Sequence, residues 1–247
     1  MLIEEYLANI PLLHTWDGGK TWSSGGFNDA QLKLMITLIR KTFSAPRIIE
    51  TGAGNSTISF LFCNPSEVVS ICPEEIVFDR INNFCVTHSV STQRLQRIIG
   101  CSERELPQIA QRVMVSGKTF DFALIDGHHG WPNVFVDFCY VNALTGQGSL
   151  IMVDDIQLHS VRELANLLLE QPGFSFEEDF GKALVFRKTT SAPSMPEWIS
   201  QPYIVRRSMP PLPSRLRQFL SPRIRTIIMK LPLGPSLIRG VKRKLNL

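Results

Sequence analysis

Residues 47–62 read RIIETGAGNSTISFLF, and this stretch decides the fold. Its apolar opening has strand character and ends at Glu50; residues 51–54 (TGAG) then form a tight turn into a helix that begins near Asn55. A strand, a glycine turn and a helix in this order place bare backbone N–H groups and the positive end of a helix dipole beside an open crevice. A nucleotide-like ligand is expected there if the rest of the chain continues as alternating strands and helices.

The chain after this stretch keeps that rhythm. Four further strands are predicted, each closed by turn residues and followed by a helix, at residues 68–72, 95–99, 120–125 and 149–153. Two of the helices carry capping-box patterns, Ser102 with Glu105 and Ser160 with Glu163. The sequence therefore predicts an α/β protein built from repeated strand–helix units.

The end of this region breaks the pattern. Residues 174–180 and 182–187 read as two strands separated only by Gly181. So short a link cannot make a parallel crossover, so the two strands are predicted to pair as an antiparallel hairpin. The fold class is then α/β, a doubly wound and mostly parallel sheet with an antiparallel terminal hairpin.

Composition and cysteine usage favour an ordinary globular protein. The chain has 247 residues, no apolar run long enough to span a bilayer, and Glu4 and Glu5 where a secretory signal would be basic. A cytoplasmic location is therefore expected. The cysteines are odd in number and show no CxxC spacing, which predicts reduced, buried thiols rather than a zinc site. They are Cys63, Cys72, Cys85, Cys101 and Cys139.

Charge divides the chain in two. From Thr189 onward there are eleven Lys and Arg against one acid, Glu197, which gives +10; the formal +4 of the whole chain minus this +10 leaves −6 for the first 188 residues. We predict an N-terminal helical and loop region at 1–45, with a helix capped by Asn28 or Asp29, a ligand-binding domain at 46–188, and a basic, proline-rich extension at 189–247.

The basic extension permits two interpretations. Its residues 224–231 form a short amphipathic segment flanked by Arg and Lys. This segment either contacts an anionic membrane surface, as a peripheral association, or packs on the acidic body or on a second subunit of a homodimer. The packing interpretation is preferred because the segment is short and interrupted by proline. Nucleic acid is not expected as a partner, since no recognition module is visible.

Three segments together resemble a known family. IIETGAGNST, FALIDGHHGW and GSLIMVDDI occur in this order between residues 48 and 156. They are similar to the motifs of class I S-adenosylmethionine-dependent methyltransferases, in the small-molecule branch of catechol and macrocin O-methyltransferases. The resemblance covers about residues 16–188, and it implies a seven-stranded sheet with a reversed last strand.

The resemblance also implies which residues hold S-adenosylmethionine. The expected cofactor-binding residues are Glu50, Thr51, Gly52, Ala53, Gly54, Ser56, Thr57, Glu74, Cys101, Ser102 and Asp126. Two positions depart from the family pattern. Cys72 occupies the strand-end position of the usual ribose-binding acid, so Glu74 is the preferred ribose-binding residue. Cys101 and Ser102 stand where an acid is more usual beside the adenine.

Acidic residues end two strands that would be neighbours in such a sheet. Asp126 follows one strand, and Asp154 and Asp155 follow the next. Three oxygen ligands suit Mg²⁺ or a similar divalent cation. In the enzymes that the chain resembles, this ion orients the acceptor hydroxyl and lowers its pKa. The alternative is structural: Asp126 ends a strand, and the other two cap the following segment.

Two histidines follow Asp126 in the predicted loop. His128 and His129 are candidate general bases because an imidazole titrates near neutral pH. Together with Asp126 they form the predicted catalytic group, although His128 has the alternative role of bracing the loop. Trp22 and Trp131 are candidates for the wall of an acceptor pocket.

The sequence therefore favours methyl transfer from S-adenosylmethionine to a hydroxyl of a sugar or secondary metabolite. The main rival is a nicotinamide-dependent oxidoreductase, which needs a glycine where Thr57 stands. A Tyr-x-x-x-Lys pair is also missing, since Leu144 lies four residues after Tyr140. A third interpretation is a non-catalytic scaffold that acts through its basic extension.

Overall fold

The computed structural model describes the backbone of residues 1–16, 21–22 and 26–208, and the side chains of residues 1–15 and 26–208. The chain divides into two compact units, Met1–Glu197 and a second unit that begins at Trp198. In the second unit the described residues form a short 3-10 turn, Trp198–Ser200, and a helix, Pro202–Ser208. The predicted boundaries at residues 45 and 188 stay predictions.

The first unit alternates strands and helices along most of its length. Its helices are α1 (Ile3–Ala8), α2 (Asp29–Thr42), α3 (Asn55–Leu61), α4 (Glu75–Thr87), α5 (Ser102–Ser116), α6 (Asn133–Leu144) and α7 (His159–Glu170). Its strands are β1 (Thr15–Trp16), β2 (Thr21–Trp22), β3 (Arg47–Thr51), β4 (Glu67–Cys72), β5 (Leu95–Ile99), β6 (Phe120–Ile125), β7 (Thr145–Val153), β8 (Phe174–Asp179) and β9 (Leu184–Lys188).

Seven of these strands form one sheet in the order β5-β4-β3-β6-β7-β9-β8. The first five in this order are parallel, and β9 is antiparallel to both of its neighbours, β7 and β8. The predicted fold class is confirmed, including the antiparallel hairpin. Strand order reverses between β3 and β6, so the loops at their carboxyl ends separate and leave a crevice between them.

The sheet is buried on both faces because its central strands are apolar at successive positions. Ile48 joins an apolar cluster with α2, α3 and α4 on one face, and Ile49 joins a second cluster with α5, α6 and α7 on the other. Both side chains are at most 1% exposed. The helices therefore cover both faces of the sheet, and the strand ends are the part of the sheet that a ligand can reach.

Helix starts show where local prediction holds and where it fails. Asn28 caps α2, since its Oδ1 accepts a hydrogen bond from the Gln31 backbone N–H at 2.9 Å. The two predicted capping boxes are wrong. The residue that caps α5 is Cys101, so Ser102 is already the first helical residue, and α7 is capped by Leu158. Ser160 instead donates its hydroxyl proton to the backbone oxygen of His129.

Three further expectations are resolved in part. The predicted N-terminal helical and loop region also contains a short strand pair, β1–β2, with Thr15 opposite Trp22. All cysteines are free, but Cys101 and Cys139 are exposed rather than buried. No helix among the described residues is long and apolar enough to cross a membrane. The amphipathic segment at 224–231 lies outside the described residues.

Candidate active site

The glycine turn after β3 lies against the end of β6. Gly52 has a φ of +93°, which L side chains rarely adopt, and an added Cβ would clash with the backbone oxygen of Asp126. Its N–H donates to the Ile71 backbone oxygen at 2.8 Å. Glycine is therefore required here by the contact between two strand ends, whether or not a ligand is bound.

Glu50 lies behind this turn and holds its shape. The carboxylate is 1% exposed and accepts hydrogen bonds from Ser56 Oγ at 2.7 Å and Thr57 Oγ1 at 2.5 Å. Thr57 Oγ1 also accepts from the Gly54 N–H at 3.0 Å. Burial raises the pKa of Glu50 to about 7, and the two hydroxyl donors oppose the rise. Glu50 thus braces the start of α3, and its predicted contact with the cofactor stays a prediction.

Beyond the turn is a cavity of about 410 Å³ at the carboxyl edge of the sheet. This volume lies within the range of small-molecule sites, roughly 300–1,000 Å³. Of the predicted residues, the cavity is lined by Gly52, Ala53, Glu74, Cys101, Ser102, Asp126, His128, His129 and Asp155. The structure therefore brings together residues from five strand ends. Thr51 and Thr57 are fully buried behind the lining.

Sequence reasoning missed several residues of this lining. They are His14, Gly26, Ile71, Cys72, Pro73, Glu103 and Gly127. Five of these lie within three residues of a predicted residue at a strand end, so a wider window around each strand end would have included them. His14 and Gly26 come from the N-terminal region, where no motif indicated a role in the site.

The N-terminal segment of residues 9–14, here called the arm, is hydrogen-bonded to the glycine turn. Asn55 Nδ2 donates to the Pro11 backbone oxygen at 3.0 Å, and His14 Nε2 lies 2.8 Å from the Ala53 backbone oxygen. Together with Ser56, the arm lines a second cavity of about 290 Å³. The two cavities share four lining residues, His14, Gly26, Ala53 and Asp126. The arm therefore forms a wall of the site.

The acids after β6 and β7 have different surroundings. Ile125 pairs with Val153, so Asp126 and Asp154 begin from adjacent strand ends, as predicted. Asp154 is 1% exposed, and its Oδ2 accepts from Lys182 Nζ at 2.6 Å. The same Nζ lies 3.3 Å from Asp155 Oδ1. Burial raises the pKa of Asp154, and the Lys182 ammonium opposes this rise. Lys182 was missed by sequence reasoning.

His129 lies between the two acids that face the cavity. Its Nε2 is 3.3 Å from Asp126 Oδ1, and its Nδ1 is 3.7 Å from Asp155 Oδ2. The Asp126 carboxylate beside Nε2 raises the pKa of His129, burial lowers it, and the negative charge of Asp155 raises it further. The ring is thus placed to hold a proton between two carboxylates.

His128 has a different geometry. Its Nδ1 accepts a hydrogen bond from the Gly130 backbone N–H at 3.0 Å. In a neutral imidazole that accepts at Nδ1, the proton is on Nε2, so the second nitrogen is a donor. His128 therefore suits donation to a ligand in the cavity better than the predicted role of general base, and His129 is the better candidate for that role.

The predicted three-carboxylate metal site does not fit this arrangement. Lys182 uses one oxygen of Asp154, and the other oxygen, Oδ1, is buried without a hydrogen-bond partner among the described residues. Asp126, His129 and Asp155 do offer ligand atoms within 4.8 Å of one another. However, that set contains an imidazole nitrogen, and Mg²⁺ prefers oxygen. A divalent cation stays a prediction for this site.

One predicted wall of the acceptor pocket lies elsewhere. Trp131 stacks on Phe135 with ring centroids 4.7 Å apart and is 57% exposed. It lines neither of the two cavities. The side chain of Trp22 lies outside the described residues.

The strand order and the reversed β9 define the Rossmann-like fold of class I methyltransferases. No protein-family profile and no curated protein matches the sequence. Among solved structures, cofactor-bound Rv0187 from MTB is similar at 18% identity and a TM-score of 0.56, covering 68% of this chain and 84% of that one.

Two further solved structures share the fold. A Staphylococcus aureus protein assigned as a caffeoyl-CoA O-methyltransferase has 17% identity and a TM-score of 0.55, covering 66% of this chain and 85% of its own. A methyltransferase from Geobacter sulfurreducens has 15% identity and a TM-score of 0.50, covering 65% and 78%. At these identities the likeness concerns the fold alone.

Proposed function

We propose that the chain is an S-adenosylmethionine-dependent methyltransferase that methylates a hydroxyl group of a small molecule. The observation that carries the proposal is the cavity of about 410 Å³, in which Glu74, Ser102 and Asp126 converge on the glycine turn. Methyltransferases of known structure with the same fold support it.

Each wall of the cavity offers a different recognition chemistry. Glu74, just beyond β4, supplies a carboxylate for ribose hydroxyls, and Cys101 and Ser102 at the start of α5 border the space for a base. Asp126 offers a carboxylate to the ammonium of an amino acid. Gly52 has no side chain that would keep such a ligand from the backbone of the turn. These residues fit the cofactor, which supplies an electrophilic methyl group when bound.

The acceptor side of the site needs a group that takes the hydroxyl proton. Neutral His129 can take that proton because Asp126 and Asp155 stabilise the resulting imidazolium from two sides. The new O–C bond forms as the S–C bond breaks, and the electron pair stays on sulfur. His128 can donate a hydrogen bond from Nε2 and orient a ligand.

The proposal is tested with S-adenosylhomocysteine, titrated calorimetrically into the full chain with NAD as the comparison ligand. We expect S-adenosylhomocysteine to bind and NAD to bind weakly or not at all. Glu74→Gln should weaken the affinity about 10-fold or more, in line with the loss of a charged hydrogen bond. Glu75→Gln, at the next residue and outside the cavity lining, is the matched control. Tight NAD binding without any response to S-adenosylhomocysteine would contradict the proposal.

The proposal extends to the acceptor and to the partner of the basic extension. A small polar acceptor suits the cavity beside Asp126 and His129. For the extension, the acidic charge of the first 188 residues supports packing on the body or on a second subunit. Flotation with anionic liposomes and the mass in solution distinguish this from membrane contact.

A further inference from the structure

We infer that Lys182 supplies the positive charge on the acceptor side of the site. Its ammonium orients the carboxylates there, in place of a divalent metal ion. This inference rests on the proposed function and concerns how the same site balances its charge. Its basis is the contact of one ammonium with both carboxylates that follow β7, Asp154 and Asp155.

The backbone fixes Lys182 at this place. The antiparallel pairing of β7 with β9 ends at Val153 and Leu184, and Lys182 lies in the hairpin turn just before β9. The Ile156 N–H donates to the Lys182 backbone oxygen at 2.9 Å, so this turn is hydrogen-bonded to the segment that follows β7. The ammonium is therefore held beside the end of β7 by backbone contacts of the turn that carries it.

Three side chains surround the Lys182 ammonium. Nζ lies 2.6 Å from Asp154 Oδ2, 3.3 Å from Asp155 Oδ1 and 4.5 Å from the centroid of the Phe27 ring. The Lys182 side chain is only 20% exposed, and Asp154 is 1% exposed. Phe27 precedes α2 and borders the second cavity, so the ammonium also ties the N-terminal region to the site.

Lys182 already offsets part of the negative charge of this edge. The carboxylates of Asp126, Asp154 and Asp155 face one ammonium, that of Lys182, and the imidazole of His129. A divalent cation bound between Asp154 and Asp155 would lie within a few ångströms of the ammonium, and like charges at that separation repel strongly in a partly buried site. Such an ion would also compete with His129 for Asp126 and Asp155. Lys182 thus excludes a metal ion from the predicted position between the carboxylates.

Lys182 acts through Asp155 and is therefore a positioning residue. Lys182 Nζ at 3.3 Å and Gln157 Nε2 at 2.8 Å both donate to Asp155 Oδ1, which leaves Asp155 Oδ2 to face His129 Nδ1. The imidazole of His129 keeps a fixed orientation between two carboxylates. The Lys182 ammonium also prevents these carboxylates from binding metal ions from solution.

Mn²⁺ alone, followed by electron paramagnetic resonance, tests the inference on the EDTA-treated full chain. The wild type should bind no Mn²⁺ more tightly than about 1 mM, the weak end of protein sites for divalent ions. Lys182→Met should create a site at least about 10-fold tighter, because the repelling charge is gone. Lys182→Arg should exclude the ion as the wild type does. Lys33→Met, an exposed lysine on α2, is the control for lost charge alone.

Tight Mn²⁺ binding by the wild type that Asp126→Asn abolishes would overturn the inference, and this comparison does not require Lys182→Met to fold. Equal exclusion of Mn²⁺ by folded Lys182→Met would overturn it as well. S-adenosylhomocysteine affinity, measured on the same samples, reports on the proposed function separately. That affinity should be unchanged by Mn²⁺ whichever way the metal result falls.

Discussion

At the residue scale, Glu50 shows how one buried side chain supports the site. Its carboxylate joins Ser56 and Thr57, and through Thr57 it fixes the Gly54 N–H. The turn beside the cavity is thus preorganised by a buried acid. The sequence placed the acid correctly at the strand end, but spacing alone could not show on which side of the turn its carboxylate lies.

The raised pKa of Glu50 predicts how stability depends on pH. The pKa is about 7 in the folded protein and 4.5 when unperturbed, so between these values the folded state binds more protons than the unfolded state. Glu50 therefore makes the free energy of unfolding fall as pH rises from about 4.5 to 7, by an amount on the order of 3 kcal/mol.

Thermal melts of the wild type and of Glu50→Gln between pH 5 and 8 measure this contribution. The wild type should lose more stability than the variant across the window, since the variant has no carboxyl group to ionise. Glu75→Gln, on the exposed start of α4, should follow the wild type. Parallel curves for wild type and Glu50→Gln would show that the buried acid does not titrate in this range.

His129 supplies a second prediction at this scale. Because Asp126 and Asp155 both favour the imidazolium, its pKa should exceed the ordinary value of about 6.5. Asp126→Asn should lower the pKa, as the largest favourable contribution is removed. A pH series of two-dimensional ¹H–¹⁵N NMR spectra of the imidazole measures both. A His129 that titrates below 6.5 in the wild type contradicts the pairing.

At the element scale, β9 ends in a buried lysine, Lys188, that caps the carboxyl end of α6. Lys188 is fully buried, and its Nζ donates to the backbone oxygens of Asn142 at 2.5 Å and Thr145 at 2.9 Å. These are carbonyls at the end of α6, where a positive charge also suits the helix dipole. Burial lowers the pKa of Lys188 to about 8.

Lys188→Met tests this helix closure. The substitution keeps most of the apolar stem but leaves two buried carbonyls without their donor, and each lost partner costs about 1–3 kcal/mol. We expect a destabilisation of that order in urea unfolding, against no measurable effect for Lys33→Met. An unchanged midpoint would show that water or the relaxed helix end replaces the ammonium.

The elements also show the limit of local patterns. The strands, the glycine turn and the Asn28 cap were predicted because each depends on neighbours in sequence. The boxes at Ser102 and Ser160 failed because the helices begin elsewhere, and the Ser160 hydroxyl is used by the backbone of His129. A capping pattern gives a possible local bond, and tertiary contacts decide whether it forms.

At the scale of the whole molecule, the contacts of residues 189–197 refine the predicted boundary. The Thr189 N–H donates to the Gly173 backbone oxygen at 2.9 Å, and Met195 packs on the second apolar cluster. A chain that ends at Glu197 should fold and bind S-adenosylhomocysteine, whereas one that ends at Lys188 should melt several degrees lower. Calorimetry of the two truncated chains measures the difference, and equal melting temperatures would place these residues outside the folded unit.

Much of the site was predictable because parallel strands bring their carboxyl ends to one edge. The resemblance to the methyltransferase motifs pointed to Glu74, Ser102 and Asp126 at these strand ends, and all three line the cavity. Lys182 and His14 were not predicted, because each depends on a partner distant in sequence. Lys182 requires the contact of its turn with the segment that follows β7, and His14 requires the docking of the arm on the glycine turn. Neither relation leaves a periodic signal in the chain.

The pairing of β7 with β9 has a consequence for how the gene can vary. Leu184 pairs with Val153, and two residues earlier the Lys182 backbone oxygen accepts a hydrogen bond from the Ile156 N–H. A single codon inserted between Lys182 and Leu184 would make these two contacts incompatible and displace the ammonium from Asp154 and Asp155. An insertion in this hairpin turn would therefore alter the charge of the site without changing any residue that lines the cavity.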